Sequence, residues 1–269
     1  MTKSAQSLKE NEINAKLLHL YEGKKQGFNE ILKQAEALNI ADTLVLNLPY
    51  ATQQYLDSKV KIMIVGQESY GWSFKLNDLE GSGEYKGLGG AMERTRSFQG
   101  KKSYNTRFWS FARGVYEACH NSALTDSKSN AYFFWSNLRR ICFHTKPTTA
   151  LPSPLQELIK THLDSILLSE IHIAQPDIVL FLSGPNYDSY IKQQLDGVTF
   201  QAYIDDMPRR AAARLECHSV THATMLRLYH PNARKRAGGI SAQEYNKRVM
   251  LSLLEILGGL HELAKIGRD

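Results

Sequence analysis

Two apolar runs that end in glycine restrict this chain to a small set of folds. Residues 60–66 read V-K-I-M-I-V-G, and residues 177–184 read D-I-V-L-F-L-S-G. Both runs are nearly continuous in apolar residues, which is typical of strands that are buried on both faces of a parallel sheet. We therefore predict two central strands here. Two more are predicted at 131–135 and 225–229, where aromatic and branched apolar residues cluster.

Helical patterns separate the predicted strands. The clearest begins at Ser153, with Pro154 in its first turn and Gln156 placed to close a capping box, and its apolar positions continue to Leu167. Strands that are joined through helices form a mainly parallel sheet covered on both faces, because each crossover packs back onto the sheet. The sequence therefore predicts an α/β fold, a three-layer αβα sandwich with a central mainly parallel sheet and additional N-terminal helices.

One domain should span residues 1–269, since no linker-like segment divides the chain. Residues 1–58 are predicted to be a helical extension packed on it, because their apolar side chains are spaced as a helical face broken around Gly23 and Gly27. The stretch 71–102 is rich in glycine and charge, and we predict a long loop there with at most one short helix. Loops of this length are uncommon unless they line a site.

Polar, chemically capable residues follow two of the predicted strands. Gln67 and Glu68 come directly after the strand 60–66, and His230 comes directly after the strand 225–229. Open α/β sheets build their sites at the carboxyl ends of parallel strands, so these side chains are expected at one edge of the sheet. A carboxylate and a histidine at strand ends indicate hydrolytic chemistry.

The first segment resembles the first signature motif of the uracil-DNA glycosylase superfamily, which reads G-Q-D-P-Y or a relative such as G-x-N-P-G. Gly66, Gln67 and Tyr70 match the first version. Glu68 stands where aspartate is usual, and Ser69 replaces proline.

The second segment resembles the second motif of the same superfamily, which reads H-P-S-P followed by leucine or arginine. His230 and Pro231 match it, while Asn232 and Ala233 replace Ser-Pro. Arg234 occupies the Leu/Arg position. The resemblance covers most of the chain, from the strand at 60–66 onward, and agrees with the three-layer fold.

This resemblance implies a metal-independent, monofunctional DNA glycosylase that flips a uracil-like or modified pyrimidine out of DNA and hydrolyses its glycosidic bond, as in base excision repair. Glu68 would stabilise the sugar cation and position water, and His230 would donate a hydrogen bond to the leaving base. Gln67, Tyr70 and Asn137 would bind the base, Asn137 because it follows the aromatic strand as the superfamily's base-reading asparagine does.

The resemblance also implies a DNA-binding loop at Arg234, Lys235 and Arg236, where the superfamily inserts a segment into the minor groove. The net charge of +6 and the pI near 9.1 favour a polyanionic partner such as DNA. Other basic pairs, including Arg139–Arg140, would extend the footprint. A solvated basic turn is the alternative interpretation of the loop.

Two other functions stay open. An enzyme with the same fold could excise hypermodified bases from phage DNA in antiphage defence. The unusual pair Glu68–Ser69 and the glycine-rich stretch are compatible with that interpretation. A nucleic-acid-binding module without catalysis is the hypothesis from a different class.

No cofactor or metal ion is expected. The three cysteines are widely spaced and supply neither a disulfide framework nor the four ligands of an iron–sulfur cluster, which some glycosylases of the superfamily carry. Cys217, His218 and His222 match no standard zinc spacing. The N-terminus lacks the apolar core of a signal peptide, and no apolar stretch reaches the length of a membrane span. We predict a cytoplasmic protein without membrane contact or an evident obligate protein partner.

Overall fold

The computed structural model describes residues 3–69, 71–80, 85–101, 105–120, 129–145, 150–163, 165–204, 207–233, 241, 244 and 246–252, with the backbone alone for 3–11 and 101. Its helices are α1 (Lys3–Glu22), α2 (Lys25–Ala37), α3 (Gln53–Asp57), α4 (Gly87–Lys101), α5 (Arg107–His120), α6 (Ser153–Leu163), α7 (Ile166–Ala174) and α8 (Asp188–Gln194). Residues 246–252 are also helical. None of the helices in these ranges is long and apolar enough to cross a membrane.

The strands form two sheets. They are β1 (Leu44–Leu46), β2 (Ile62–Gly66), β3 (Phe134–Asn137), β4 (Ile141–Phe143), β5 (Ile178–Phe181), β6 (Thr199–Ala202), β7 (Ala212–Cys217) and β8 (Val220–Leu228). The larger sheet has the order β3-β2-β5-β8-β7-β6, and β1 pairs with β4 in a separate antiparallel ribbon. The pairings among β3, β2, β5 and β8 are parallel, whereas β7 is antiparallel to both β8 and β6.

The strand order places a topological switch point at β2. The chain runs from β2 to β3 on one side and then returns to β5 on the other side of β2. Crevices form outside the carboxyl ends of parallel strands where the order reverses in this way. Residues that follow β2 therefore lie where this class of fold places a ligand.

The four predicted strands correspond to β2, β3, β5 and β8. The prediction of a mixed α/β fold with a mostly parallel central sheet flanked by helices is thereby confirmed at that level. The antiparallel strands β6 and β7 were not predicted. The pattern of β7 alternates from Ala213 to Cys217, with Arg214 and Glu216 exposed, so it lacks the continuous apolar run of a central strand.

The prediction for 71–102 is wrong in its helix content, because α4 is a helix of 15 residues. Three of the four glycines of α4 lie at the start of the helix. Gly87 has φ of +70°, a backbone conformation that is energetically unfavourable for residues with a side chain. A Cβ atom on Gly90 would overlap the backbone of Tyr85, so glycine permits the close approach of the chain before the helix. The glycines therefore mark a tight helix entry.

The helix predicted from Ser153 to Leu167 is divided in the structure. The first part is α6, and α7 begins at Ile166 after Ser165, which has φ of 64°. A left-handed residue ends helical hydrogen bonding, so the apolar spacing continues across the break although the helix does not. Further on, Ser241 Oγ accepts from the Glu244 backbone N–H at 3.2 Å, which is the hydrogen bond of a helix N-cap.

A buried polar cluster ties the N-terminal helices to the sheet. Glu170 of α7 is fully buried and accepts hydrogen bonds from Tyr21 Oη of α1 at 3.0 Å and from Ser136 Oγ of β3 at 2.8 Å. Arg140 donates to both carboxylate oxygens of Glu170. This arrangement also corrects the expectation that Arg139–Arg140 contacts DNA: Arg140 is 2% exposed and Arg139 is 7% exposed.

The first 58 residues contribute more than a helical extension. Leu17 and Tyr21 of α1 and Phe28 and Ile31 of α2 belong to the same buried apolar cluster as the sheet. The segment also supplies β1, which pairs with β4. Burial of these side chains makes the segment part of the core.

Candidate active site

A cavity of about 760 Å³ lies at the carboxyl ends of β2 and β3 and is closed on one side by the segment after β8. Both polar segments singled out in the sequence contribute to its lining: Gln67, Glu68 and Ser69 come from the first, and His230 and Asn232 from the second. Since β5 separates β2 from β8, the two segments start roughly 10 Å apart, which is two strand spacings. The fold thus brings together residues that are distant in sequence.

Aromatic rings line much of this cavity. Five of them belong to one cluster, with centroid distances between neighbours of 4.9 to 5.4 Å and mainly edge-to-face or tilted contacts. The rings are those of Trp72, Phe98, Phe108, Trp109 and Trp135. Flat apolar walls of this kind favour a planar ring as ligand.

Glu68 is the carboxylate on the cavity wall. It follows β2 directly and is partly buried. Burial raises the pKa of the Tyr187 hydroxyl to about 12, and the negative charge of Glu68 adds to that rise. The Glu68 charge is therefore close enough to act on the Tyr187 hydroxyl.

Gln67 is fixed between two strand ends. Its side-chain amide nitrogen donates to the Ser183 carbonyl oxygen at 2.6 Å, across the gap between β2 and β5. Its backbone carbonyl accepts from the Arg139 N–H at 3.0 Å. These bonds hold the backbone that carries Glu68.

His230 occupies a turn whose geometry sets its tautomer. The chain closes the turn with a hydrogen bond from the Ala233 N–H to the His230 carbonyl oxygen at 2.8 Å, and Pro231 supplies the fixed φ of its second position. The Asn232 backbone N–H donates to His230 Nδ1 at 3.1 Å. Because Nδ1 accepts this bond, the proton of the neutral ring lies on Nε2.

The environment of His230 keeps its ring neutral. Burial lowers the pKa of His230 from 6.5 to about 4. Phe108 of α5 stacks on the ring, with centroids 5.7 Å apart and planes inclined by 26°. At neutral pH His230 is therefore an uncharged N–H donor on the cavity wall, suited to bind a developing anion without first losing a charge.

We expect His230 to make the protein less stable in acid. The unfolded chain binds a proton on this histidine below pH 6.5, whereas the folded protein does so only near pH 4. The free energy of unfolding should therefore have its full value above pH 6.5 and fall as pH is lowered toward 4. Urea unfolding at pH 7 and pH 5 measures the difference, and His230→Gln should reduce it.

The same substitution at His19, an exposed residue of α1, is the control for this pH experiment. It should leave the pH dependence of stability as in the wild type. An identical dependence in wild type and His230→Gln would contradict a folded state that holds His230 neutral.

Asn137 lies at the end of β3, beside Gly66 in the sheet register. It lines the cavity but is 1% exposed, and its amide nitrogen donates to Asn47 Oδ1 at 3.2 Å and to Ser69 Oγ at 2.6 Å. Its Oδ1 occupies the space that a Cβ atom on Gly66 would need. Both amide hydrogens thus support the strand ends, and base reading by Asn137 stays a prediction.

Tyr70, Arg234, Lys235 and Arg236 lie outside the described residues. Base binding by Tyr70 and DNA binding by the three basic residues stay predictions. Trp72 and Trp135 line the cavity, whereas Phe134 points to the other face of β3 and packs on Tyr55, with ring centroids 5.7 Å apart.

Several lining residues were not singled out as site residues in the sequence. Arg94 and Phe98 come from α4 and Phe108 from α5. Phe108 is an apolar residue, which in a helix normally indicates a place in the core, and α4 was expected to be mainly loop. A correct helix assignment would have shown that Arg94 and Phe98 share a face, since they are four residues apart.

The described part of the chain contains no group of three or more histidine, cysteine, aspartate and glutamate side chains that could hold a metal ion. Comparison with models of known protein families gives no match, and comparison with curated protein sequences gives no significant match either.

Proposed function

We propose that this protein is a monofunctional DNA glycosylase with a uracil-DNA glycosylase-like three-layer fold. The observation that carries the proposal is the placement of Glu68 and a neutral, N–H-donating His230 on one aromatic-lined cavity. The motif resemblance and the net charge of +6 support DNA as the polymer that presents the base.

The reaction needs two charges to be stabilised. When the bond between C1′ of the sugar and the base nitrogen breaks, the bonding electrons go to the base and the sugar becomes an oxocarbenium ion. Glu68 faces the cation, aligns a water molecule and takes its proton as the water oxygen bonds to C1′. His230 donates its Nε2 hydrogen in a hydrogen bond to the carbonyl oxygen on which the negative charge of the leaving base collects.

The neutral state of His230 fits this role. An uncharged ring donates a hydrogen bond without transferring its proton, and the hydrogen bond from Asn232 to Nδ1 keeps the proton on Nε2. A cation at this position would repel the sugar cation that forms in the same step. The lowered pKa of His230 therefore supports glycosidic hydrolysis.

An enlarged base is the second candidate substrate. The cavity volume of about 760 Å³ falls within the range of roughly 300–1,000 Å³ that holds drug-sized ligands, and a bare pyrimidine ring needs only a part of it. The cavity therefore has room for a hypermodified base, as in phage DNA, as well as for uracil.

The experiment that tests the proposal uses oligonucleotides that each contain a single test base at a defined position. The test bases are uracil, thymine, 5-hydroxymethylcytosine and glucosylated 5-hydroxymethylcytosine. Single- and double-stranded forms are incubated with the protein, and abasic sites are detected by alkaline cleavage. We expect abasic sites from at least one base. DNA binding without abasic sites from any base would replace the proposal by the non-catalytic binding module.

A further inference from the structure

One side of the cavity is polar and positively charged. Among the described residues that line it, Arg94 carries the only permanent positive charge, and Ser73 and Ser97 lie beside it in the lining. Arg94 and Ser97 are three residues apart on α4, so both project from the same face of the helix. The cavity therefore joins an aromatic wall to a cationic, hydroxyl-bearing wall.

Two contacts hold the Arg94 guanidinium in place. Its Nε donates to Ser73 Oγ at 2.7 Å, and its central carbon, Cζ, lies 6.0 Å from the centre of the Tyr85 ring. Within the described part of the chain, its two Nη groups donate to no residue. The adjacent acid, Glu93, pairs with Arg96 at 3.3 Å instead.

A hydrogen-bond chain fixes α4 against the ends of the strands. Asn137 donates to Asn47, and Asn47 donates to Thr95 Oγ1 at 3.2 Å. Thr95 Oγ1 in turn donates to the Leu48 carbonyl oxygen at 2.7 Å. Since Thr95 is fully buried and follows Arg94 directly, the position of Arg94 relative to the end of β3 is set by the core.

We propose that Arg94, with the hydroxyl groups of Ser73 and Ser97, binds a phosphate group of the substrate nucleotide. Guanidinium groups bind phosphate oxygens through paired N–H donors, and neighbouring hydroxyls add further hydrogen bonds. The aromatic wall holds the base and Arg94 holds the phosphate, so the cavity accepts a nucleotide rather than a free base. This inference rests on the proposed function for the identity of the ligand.

The same chemistry would bind an anionic substituent on an enlarged base. A DNA duplex with a tetrahydrofuran residue in place of one nucleoside separates the two sources, because it keeps the phosphates and has no base. The experiment measures the affinity of the full chain for this duplex by fluorescence anisotropy, at salt concentrations from roughly 50 to 200 mM.

Arg94→Gln should lower the slope of log affinity against log salt by about one unit, the value for one lost phosphate contact. Arg94→Lys keeps the charge and should restore most of the slope. Arg96→Gln is the matched control, since Arg96 lies on the same helix but pairs with Glu93 and does not line the cavity. It should keep the wild-type slope.

An unchanged slope in Arg94→Gln, with normal thermal unfolding, would overturn the inference. So would an equal loss in Arg96→Gln, or a loss that appears only on DNA that carries the base. Because the assay measures binding to DNA that cannot be cut, its result is independent of turnover. A lowered slope in a protein that excises no base would keep the phosphate site and remove only the glycosylase proposal.

Discussion

Glu68→Gln should bind DNA with the affinity of the wild type and excise the base on the order of 1,000-fold more slowly. The amide has the shape of the carboxylate, so the backbone held by Gln67 and the cavity wall should not change. It carries no negative charge for the sugar cation and accepts no proton from water. Single-turnover excision with excess enzyme measures the chemical step, and anisotropy on the uncleavable duplex measures binding.

Glu216→Gln is the matched control for this prediction. Glu216 is an exposed carboxylate on β7 and does not line the cavity. It should keep the wild-type rate. A normal single-turnover rate in Glu68→Gln would exclude Glu68 as the catalytic carboxylate, and a parallel loss of binding would point to a structural role.

Glu170→Ala should lower the free energy of unfolding by about 3–5 kcal/mol, because it leaves the Arg140 guanidinium buried without a counter-charge. The carboxylate is fully buried and is the shared acceptor for Tyr21, Ser136 and Arg140. Its loss also removes the hydrogen bond that joins α1 to α7. Equilibrium unfolding in urea measures the difference, with circular dichroism confirming that the variant is folded at zero urea.

Two milder variants calibrate this result. Tyr21→Phe removes one hydrogen bond to Glu170 and should cost about 1 kcal/mol. Lys16→Ala breaks an ion pair with Glu12 whose side chains are 59% and 65% exposed, and it should cost less than about 1 kcal/mol. A cost in Glu170→Ala no larger than that of Lys16→Ala would contradict the cluster as a source of stability.

The parallel half of the sheet could be predicted from sequence because burial on both faces leaves a local signal. The strand β5 reads I-V-L-F, and such a run has few other interpretations. The strand β6 has mainly exposed residues, and its assignment depends on pairing with β7, which no short window contains. The ribbon of β1 and β4 joins residues nearly a hundred positions apart and leaves equally little local trace.

Part of the candidate site could likewise be predicted from the sequence. Glu68 and His230 could be found because a glycine or a proline marks the end of an apolar run. Arg94 and Phe108 could not, since the side of the cavity that a helix presents depends on how it docks on the sheet. The basic pair Arg139–Arg140 shows the opposite case. Their charge alone predicted that both side chains lie on the protein surface. In the structure the guanidinium carbon of Arg139 lies 3.9 Å from the centre of the Tyr190 ring, and Arg140 pairs with Glu170 in the core.

The bond between Tyr21 and Glu170 has a consequence for synthesis on the ribosome. The two residues are 149 positions apart. At about 5–20 residues per second, Tyr21 is made roughly 7–30 s before its partner. During that time the part of α1 that packs on α7 lacks its partner, and β2 lacks β5, one of its neighbours in the sheet. This part of the core can therefore close only after α7 and β5 have emerged, which places its closure late in translation.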